Sequence, residues 1–197
     1  IDQGVPILAH EDAIKEFEDN GPQILNRMIG YNRDKANGTR LAMPTISFTD
    51  KYVINLGNLV IEALYLGPAH SPGDISVWIP SKKLVIAGDM AFHERLLPIF
   101  SHTNTKEWIA TWDNEFEKLN PIYVIPGHGH PTNMDQVRKY TRNYLVYLRE
   151  KIGTFIENGG ELKDAYYVDQ TPFSHLQTFK ELATRNAGRV YEEMEFE

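Results

Sequence analysis

Apolar and polar positions alternate along the chain with two different periods. Val5–Ala9 is a short apolar run that predicts a buried strand. From His10 to Ile29 the spacing turns helical. It falls in two pieces, Ala13, Ile14, Phe17 and then Ile24, Leu25, Met28, with Gly21-Pro22 predicted to part them. Tyr31–Pro44 is polar and aperiodic and reads as a long loop. Between Ile46 and Gly88 the texture is β: Tyr52–Asn55, Leu59–Leu66, Ile75–Ile79 and Leu84–Ala87 are separated by Gly-Asn and Pro-containing turns. Tyr123–Ile125 is a later strand ended by Pro126-Gly127. Three helices are predicted in the second half. One is headed by Thr105 and carries Trp108, Ile109, Trp112, Phe116 and Leu119 on one face. A long one opens at a Thr132/Asp135 capping box and stops at Gly159-Gly160. The last opens at Ser174/Gln177. The chain is therefore of mixed α/β (α+β) class, with a principal unit over residues 1–158 and a helical extension over 159–197.

Composition narrows the function classes. The 197 residues carry 20 Lys+Arg against 27 Asp+Glu, a net charge of −7, with no basic stripe, which argues against a nucleic-acid partner. No apolar run nears the roughly 20 residues of a membrane span, so no membrane partner is expected. Cysteine is absent, so any metal must be held by imidazoles and carboxylates, and the compartment, cytoplasm or periplasm, stays undecided.

Seven histidines are present, and their contexts separate them. His70 follows the strand Leu59–Leu66 and runs into Ser71-Pro72-Gly73-Asp74. His128 follows Tyr123–Ile125 within Pro126-Gly127-His128-Gly129. Asp89 follows Leu84–Ala87 and Gly88. A carboxylate at the end of an apolar strand is costly unless a cation meets it. Three strand ends, each closing on a metal-capable residue beside glycine, form a constellation that core packing does not predict.

The segments GPAHSPGD (Gly67–Asp74), AGDMAF (Ala87–Phe92) and IPGHGHPT (Ile125–Thr132) resemble, in order, the third, fourth and fifth metal motifs of the metallo-β-lactamase superfamily. The resemblance implies an αββα sandwich, present here mainly as its C-terminal portion. It implies His70 as a ligand of a first metal, His128 of a second, and Asp89 bridging both. It further implies two zinc ions per intact site, with iron or manganese as alternatives. The family's HxHxDH motif occurs nowhere in the chain. The segment Asp2–Glu11 resembles the stretch that normally follows that motif, and the chain opens on Ile1. Both lead to the expectation of an N-terminal truncation, a weakly occupied metal site and impaired activity. The implied reaction is hydrolysis of a small ester, thioester or lactone by a metal-bound hydroxide. The alternatives are a non-catalytic binding or assembly chain and a mononuclear iron oxygenase resembling persulfide dioxygenases. A truncated sandwich also predicts bare sheet surface and a homo-oligomer formed through it.

Other polar residues are candidates for the pocket or for contacts around the ligands. His10 follows the first strand. His93 lies four residues after Asp89 and is expected to pair with Glu94. Asp74 competes with Asp89 but sits in a turn, where Asp caps backbone N–H groups. His175, together with Thr184-Arg185-Asn186, loosely resembles the closing helix of hydrolases that accompany quinoprotein dehydrogenases or sulfur oxidation.

Overall fold

The computed structural model describes residues 4–197; the first residues of the Asp2–Glu11 segment lie outside the described residues. A five-stranded sheet runs in the order β3 (Lys51–Leu56), β4 (Leu59–Tyr65), β5 (Ile75–Ile79), β6 (Leu84–Phe92) and β7 (Tyr123–His128). The first four strands are antiparallel and β7 joins β6 in parallel, as a crossover through helices requires. A separate parallel pair is made by β1 (Leu8–His10) and β2 (Ile46–Phe48), with α1 (Glu11–Asn32) between them in sequence.

Helices cover one face of the large sheet. Val85, Ala87 and Val124 point to that side and are fully buried against Trp108, Trp112 and Phe116 of the α2 region (α2, Thr105–Thr111). The same core takes in Val137 of α3 (Met134–Tyr140) and Tyr144, Leu148 and Ile152 of α4 (Arg142–Glu157). Beyond the short α5 (Leu162–Ala165), α6 (Phe179–Met194) adds Ala183, Ala187 and Val190 to it. The stripe positions of these later helices are thus buried or partly buried, whereas in α1 Ile24 is 44% exposed.

Several boundaries differ from the sequence expectation. Helix α1 continues through Gly21-Pro22 instead of breaking there. Gly21 is buried, and a Cβ on it would touch Leu41 at 3.5 Å, so packing of the following loop overrides the local cost of proline. Asn104, not Thr105, caps α2, accepting from Glu107 N at 2.9 Å. The long helix starts after Asn133, which accepts from Gln136 N at 3.1 Å, and is split at Thr141. The last helix begins at Phe179 instead of Ser174, because Leu96 N donates to Gln177 O and Gln177 N to Glu94 O, which hold that segment extended. No helix among the described residues is long and apolar enough to cross a membrane.

Candidate metal centre

The segment that carries His70 is pinned at each end. Thr111 Oγ1 donates to Pro68 O at 2.8 Å, and Thr103 Oγ1 to His70 O at 2.8 Å. Gly67 adopts φ +124 against Thr111, where any Cβ would collide with the hydroxyl. Asp74 closes the turn by accepting from Ser71 N at 2.8 Å and Ser71 Oγ at 2.7 Å, the capping role expected of an Asp there. The His70 ring then sits in an aromatic box of Phe92, Phe100 and Trp108, with centroids 5.9, 5.1 and 5.9 Å away.

Asp89 does not end its strand. β6 passes through Gly88 and Asp89 to Phe92, with register shifts on either side of Gly88, whose φ is +58. This irregularity turns the carboxylate out of the ladder. Oδ2 lies 3.7 Å from His70 Nδ1, and Oδ1 lies 3.7 Å from His128 Nε2. Gly127 leaves the space Asp89 occupies; a Cβ on it would collide with Oδ1. His128 ends β7, stacks on Phe92 at 5.1 Å and accepts at its carbonyl from His93 N at 2.9 Å. The three residues that sequence spacing singled out therefore meet, with Asp89 between the two imidazoles.

Their electrostatics differ. Burial pushes the His70 pKa below its usual value, and the nearby Asp89 and Asp74 charges oppose that shift. His70 is thereby held neutral. Its Nε2 is buried with no hydrogen-bond partner, an orphaned lone pair or N–H of the kind a ligand normally satisfies. At His128 the Arg95 guanidinium stands 3.0 Å from Nδ1. Arginine only donates, so Nδ1 accepts and the neutral ring carries its proton on Nε2, facing Asp89. Among the described residues no group of three or more His, Cys, Asp or Glu side chains is poised around one point; the donors stand as two pairs sharing Asp89. Two imidazoles about one carboxylate fit zinc in the kind of donor they offer.

The remaining candidates lie elsewhere. His10 caps α1, its Nδ1 accepting from Asp12 N at 3.2 Å, and stacks on Tyr65 at 3.6 Å. His93 does not pair with Glu94: its Nδ1 faces His130 O at 3.0 Å, while Glu94 takes His130 Nδ1 at 2.7 Å because the strand exit turns Glu94 toward β7's loop. Exposed His175 precedes α6 and shares Tyr140 with His93, at 5.7 and 5.6 Å. Sequence reasoning passed over Arg95, Phe100 and Thr103, for which no spacing signal existed. Asn186, noted in sequence as part of a loose closing motif, is fully buried. It binds Ile99 N at 2.9 Å through Oδ1 and Leu97 O at 2.8 Å through Nδ2, fixing the strap that follows β6.

A metallo-beta-lactamase superfamily model matches residues 3–130. A type 2 metallo-beta-lactamase of Bacteroides fragilis is 30% identical over 99 residues, covering 49% of this chain and 40% of its own length. An acyl-coenzyme A thioesterase of Homo sapiens is 24% identical over 117 residues, covering 57% of this chain and 42% of its own. The chain thus spans less than half the length of these curated relatives. Among solved structures, the inverting sec-alkylsulfatase Pisa1 from Pseudomonas sp. superposes with a TM-score of 0.70 at 19% identity, covering 98% of this chain and 37% of its own. A metallo-beta-lactamase from Pontibacter korlensis gives 0.57 at 16% identity, covering 74% and 60%. Both are likenesses of fold, and the alkylsulfatase carries that likeness through the helical C-terminal region. With more than half of its length matched by the family model, and with the motif residues meeting at one end of the sheet, this chain belongs to the metallo-beta-lactamase superfamily.

Proposed function

We propose that the protein is a zinc-dependent hydrolase of a small ester, thioester or lactone, with His70, Asp89 and His128 as the metal-holding residues it contributes. The observation that carries this reading is the meeting of two imidazoles on one carboxylate, His70 Nδ1 and His128 Nε2 each 3.7 Å from an oxygen of Asp89. The thioesterase among the relatives supports the substrate class. A bound zinc ion supplies Lewis acidity and an acidified water at neutral pH. The chain's own residues prepare for it. The aromatic box keeps His70 neutral and its lone pair free of competing protons. Asp89 offers an oxygen to each side and balances cationic charge. Gly127 keeps that carboxylate free of a neighbouring side chain.

The test combines elemental analysis with ester and thioester hydrolysis. It is run on the 197-residue chain and on the chain together with whatever coding sequence precedes Ile1. Zinc with hydrolysis in the longer form is expected, and His70→Ala or Asp89→Asn should lower kcat/KM by at least about 100-fold there. Absence of both metal and turnover in the longer form overturns the reading. One iron with oxygen uptake selects an oxygenase instead.

A further inference from the structure

A cavity of about 390 Å³ opens between α1 and α6, next to the candidate metal centre. Its size falls in the range of small-molecule sites. Arg27 comes to it from α1, Arg185 and Arg189 from α6, and His102 and Phe100 from the strap after β6. Arg189 is matched by Glu192 at 2.7 Å, and Glu16 stands 4.0 Å from His102. Arg27 and Arg185 have no carboxylate partner among the described residues. In a chain of net charge −7, two uncompensated guanidinium groups converging from elements far apart in sequence are a specific arrangement.

The position of Arg185 is built. Its neighbour Asn186 is the buried residue that holds Leu97 and Ile99. The same strap continues into Phe100, whose N–H donates to Thr103 Oγ1 at 3.2 Å while that hydroxyl donates to His70 O. The Arg185 guanidinium lies over the Phe100 ring at 5.1 Å, and that ring also meets His70 at 5.1 Å and His102 at 5.5 Å. Stacking of this kind holds the guanidinium plane while leaving its N–H donors free for an oxyanion. One aromatic ring therefore separates the cationic cavity from the metal-facing imidazole.

We propose that this cavity binds an oxyanion carried by the substrate, so that the hydrolysed ester or thioester bears a carboxylate, sulfate or phosphate remote from the bond that breaks. The inference rests on the hydrolase reading for what happens at the far end of the substrate, but the anion site itself is testable by binding alone. The probes are monomethyl glutarate and its neutral counterpart dimethyl glutarate, titrated by calorimetry or NMR at low salt, with butyl sulfate and butyl phosphate as arms that tell the anions apart. The monoanion should bind about tenfold tighter than the diester. Arg27→Ala and Arg185→Ala should each remove a large part of that preference, and the double variant all of it, with diester binding unchanged and melting temperature held. Arg185→Lys, which keeps the charge, should retain part of the preference and so separates loss of charge from loss of fold. Equal affinity of monoester and diester in the unmodified protein, or a preference that survives the double variant, overturns the proposal. An anion preference without ester hydrolysis in the longer form leaves the cavity assignment standing and sinks the hydrolase reading. Hydrolysis that is indifferent to anion and variant does the reverse.

Discussion

Asp89 and Gly127 form a unit at the smallest scale. The carboxylate occupies the volume that any side chain at Gly127 would need, and the adjoining Gly88 carbonyl lies 2.8 Å from that same point. Gly127→Ala is therefore expected to displace the carboxylate, at a cost of about 1–3 kcal/mol in stability from overpacking. Zinc uptake should fall in parallel, and thermal melts and elemental analysis check both effects. Arg95 acts in the opposite sense. Its guanidinium donates to His128 Nδ1 and so places the ring proton on Nε2, the nitrogen that faces Asp89. It also holds a fixed positive charge 3.0 Å from the ring that a metal cation would use. Arg95→Gln keeps a polar partner able to accept from Nδ1–H and removes the charge. The expected outcome is about tenfold tighter zinc binding in a chelator competition, the order of one charge-assisted contact. Affinity that falls instead would show that Arg95 supports the ligand.

At the level of elements, the helices are cut to serve the strap and strand that carry the site. Thr141 is fully buried at the break between α3 and α4, where its hydroxyl accepts from Phe92 N at 2.8 Å and donates to Phe92 O at 3.2 Å. It satisfies both backbone groups of Phe92 at the end of β6. Asn186 does the same for the strap. It joins a buried chain in which its Nδ2 donates to Tyr144 Oη at 2.9 Å, and Tyr144 donates to Gln170 at 2.8 Å. Burial drives the Tyr144 pKa far above its usual value, so the phenol stays protonated and keeps donating. Thr141→Val and Asn186→Ala each leave buried backbone groups without partners. Losses of about 1–3 kcal/mol are expected, larger for Asn186, measured as denaturation midpoints. These features explain what could be read from the sequence. Strand and helix stripes such as Val85–Ala87 and Trp108–Trp112–Phe116 follow from periodicity alone, and His70, Asp89 and His128 stood out by their glycine and proline neighbours. Thr141, Arg95 and Phe100 act through contacts with partners far along the chain, and a local pattern carries no trace of those. The unbroken α1 is the same lesson in reverse: Pro22 signals a break, but Leu41, packed on Gly21 from the next loop, decides otherwise.

Across the whole molecule, the two faces of the large sheet are unequally covered. One is sealed by helices. The opposite face presents the paired row Tyr52, Ala63, Val77, Ile86 and Ile125, with the row Ile79, Leu84 and Tyr123 beside it. Each of these side chains is aliphatic or aromatic and none is charged. A two-sided apolar sheet is the signature of a layer meant for burial on both sides. Yet Ile86 is 40% exposed, Tyr123 59% and Ile54, on the same side, 37%. Among the described residues, the β1–β2 pair and α1 supply only a short second layer, in which His10 stacks on Tyr65. Exposed apolar area of this extent favours association, because covering it removes surface from water at about 25 cal/mol per Å². The 197-residue chain by itself is therefore expected to self-associate through this face. Light scattering should report a mass above that of one chain. Ile86→Lys combined with Tyr123→Lys should return it to monomer without loss of the helix-covered core, since both side chains point away from Val85 and Val124. A chain that is monomeric before substitution would place the exposed rows outside any self-contact and leave them to a different covering layer.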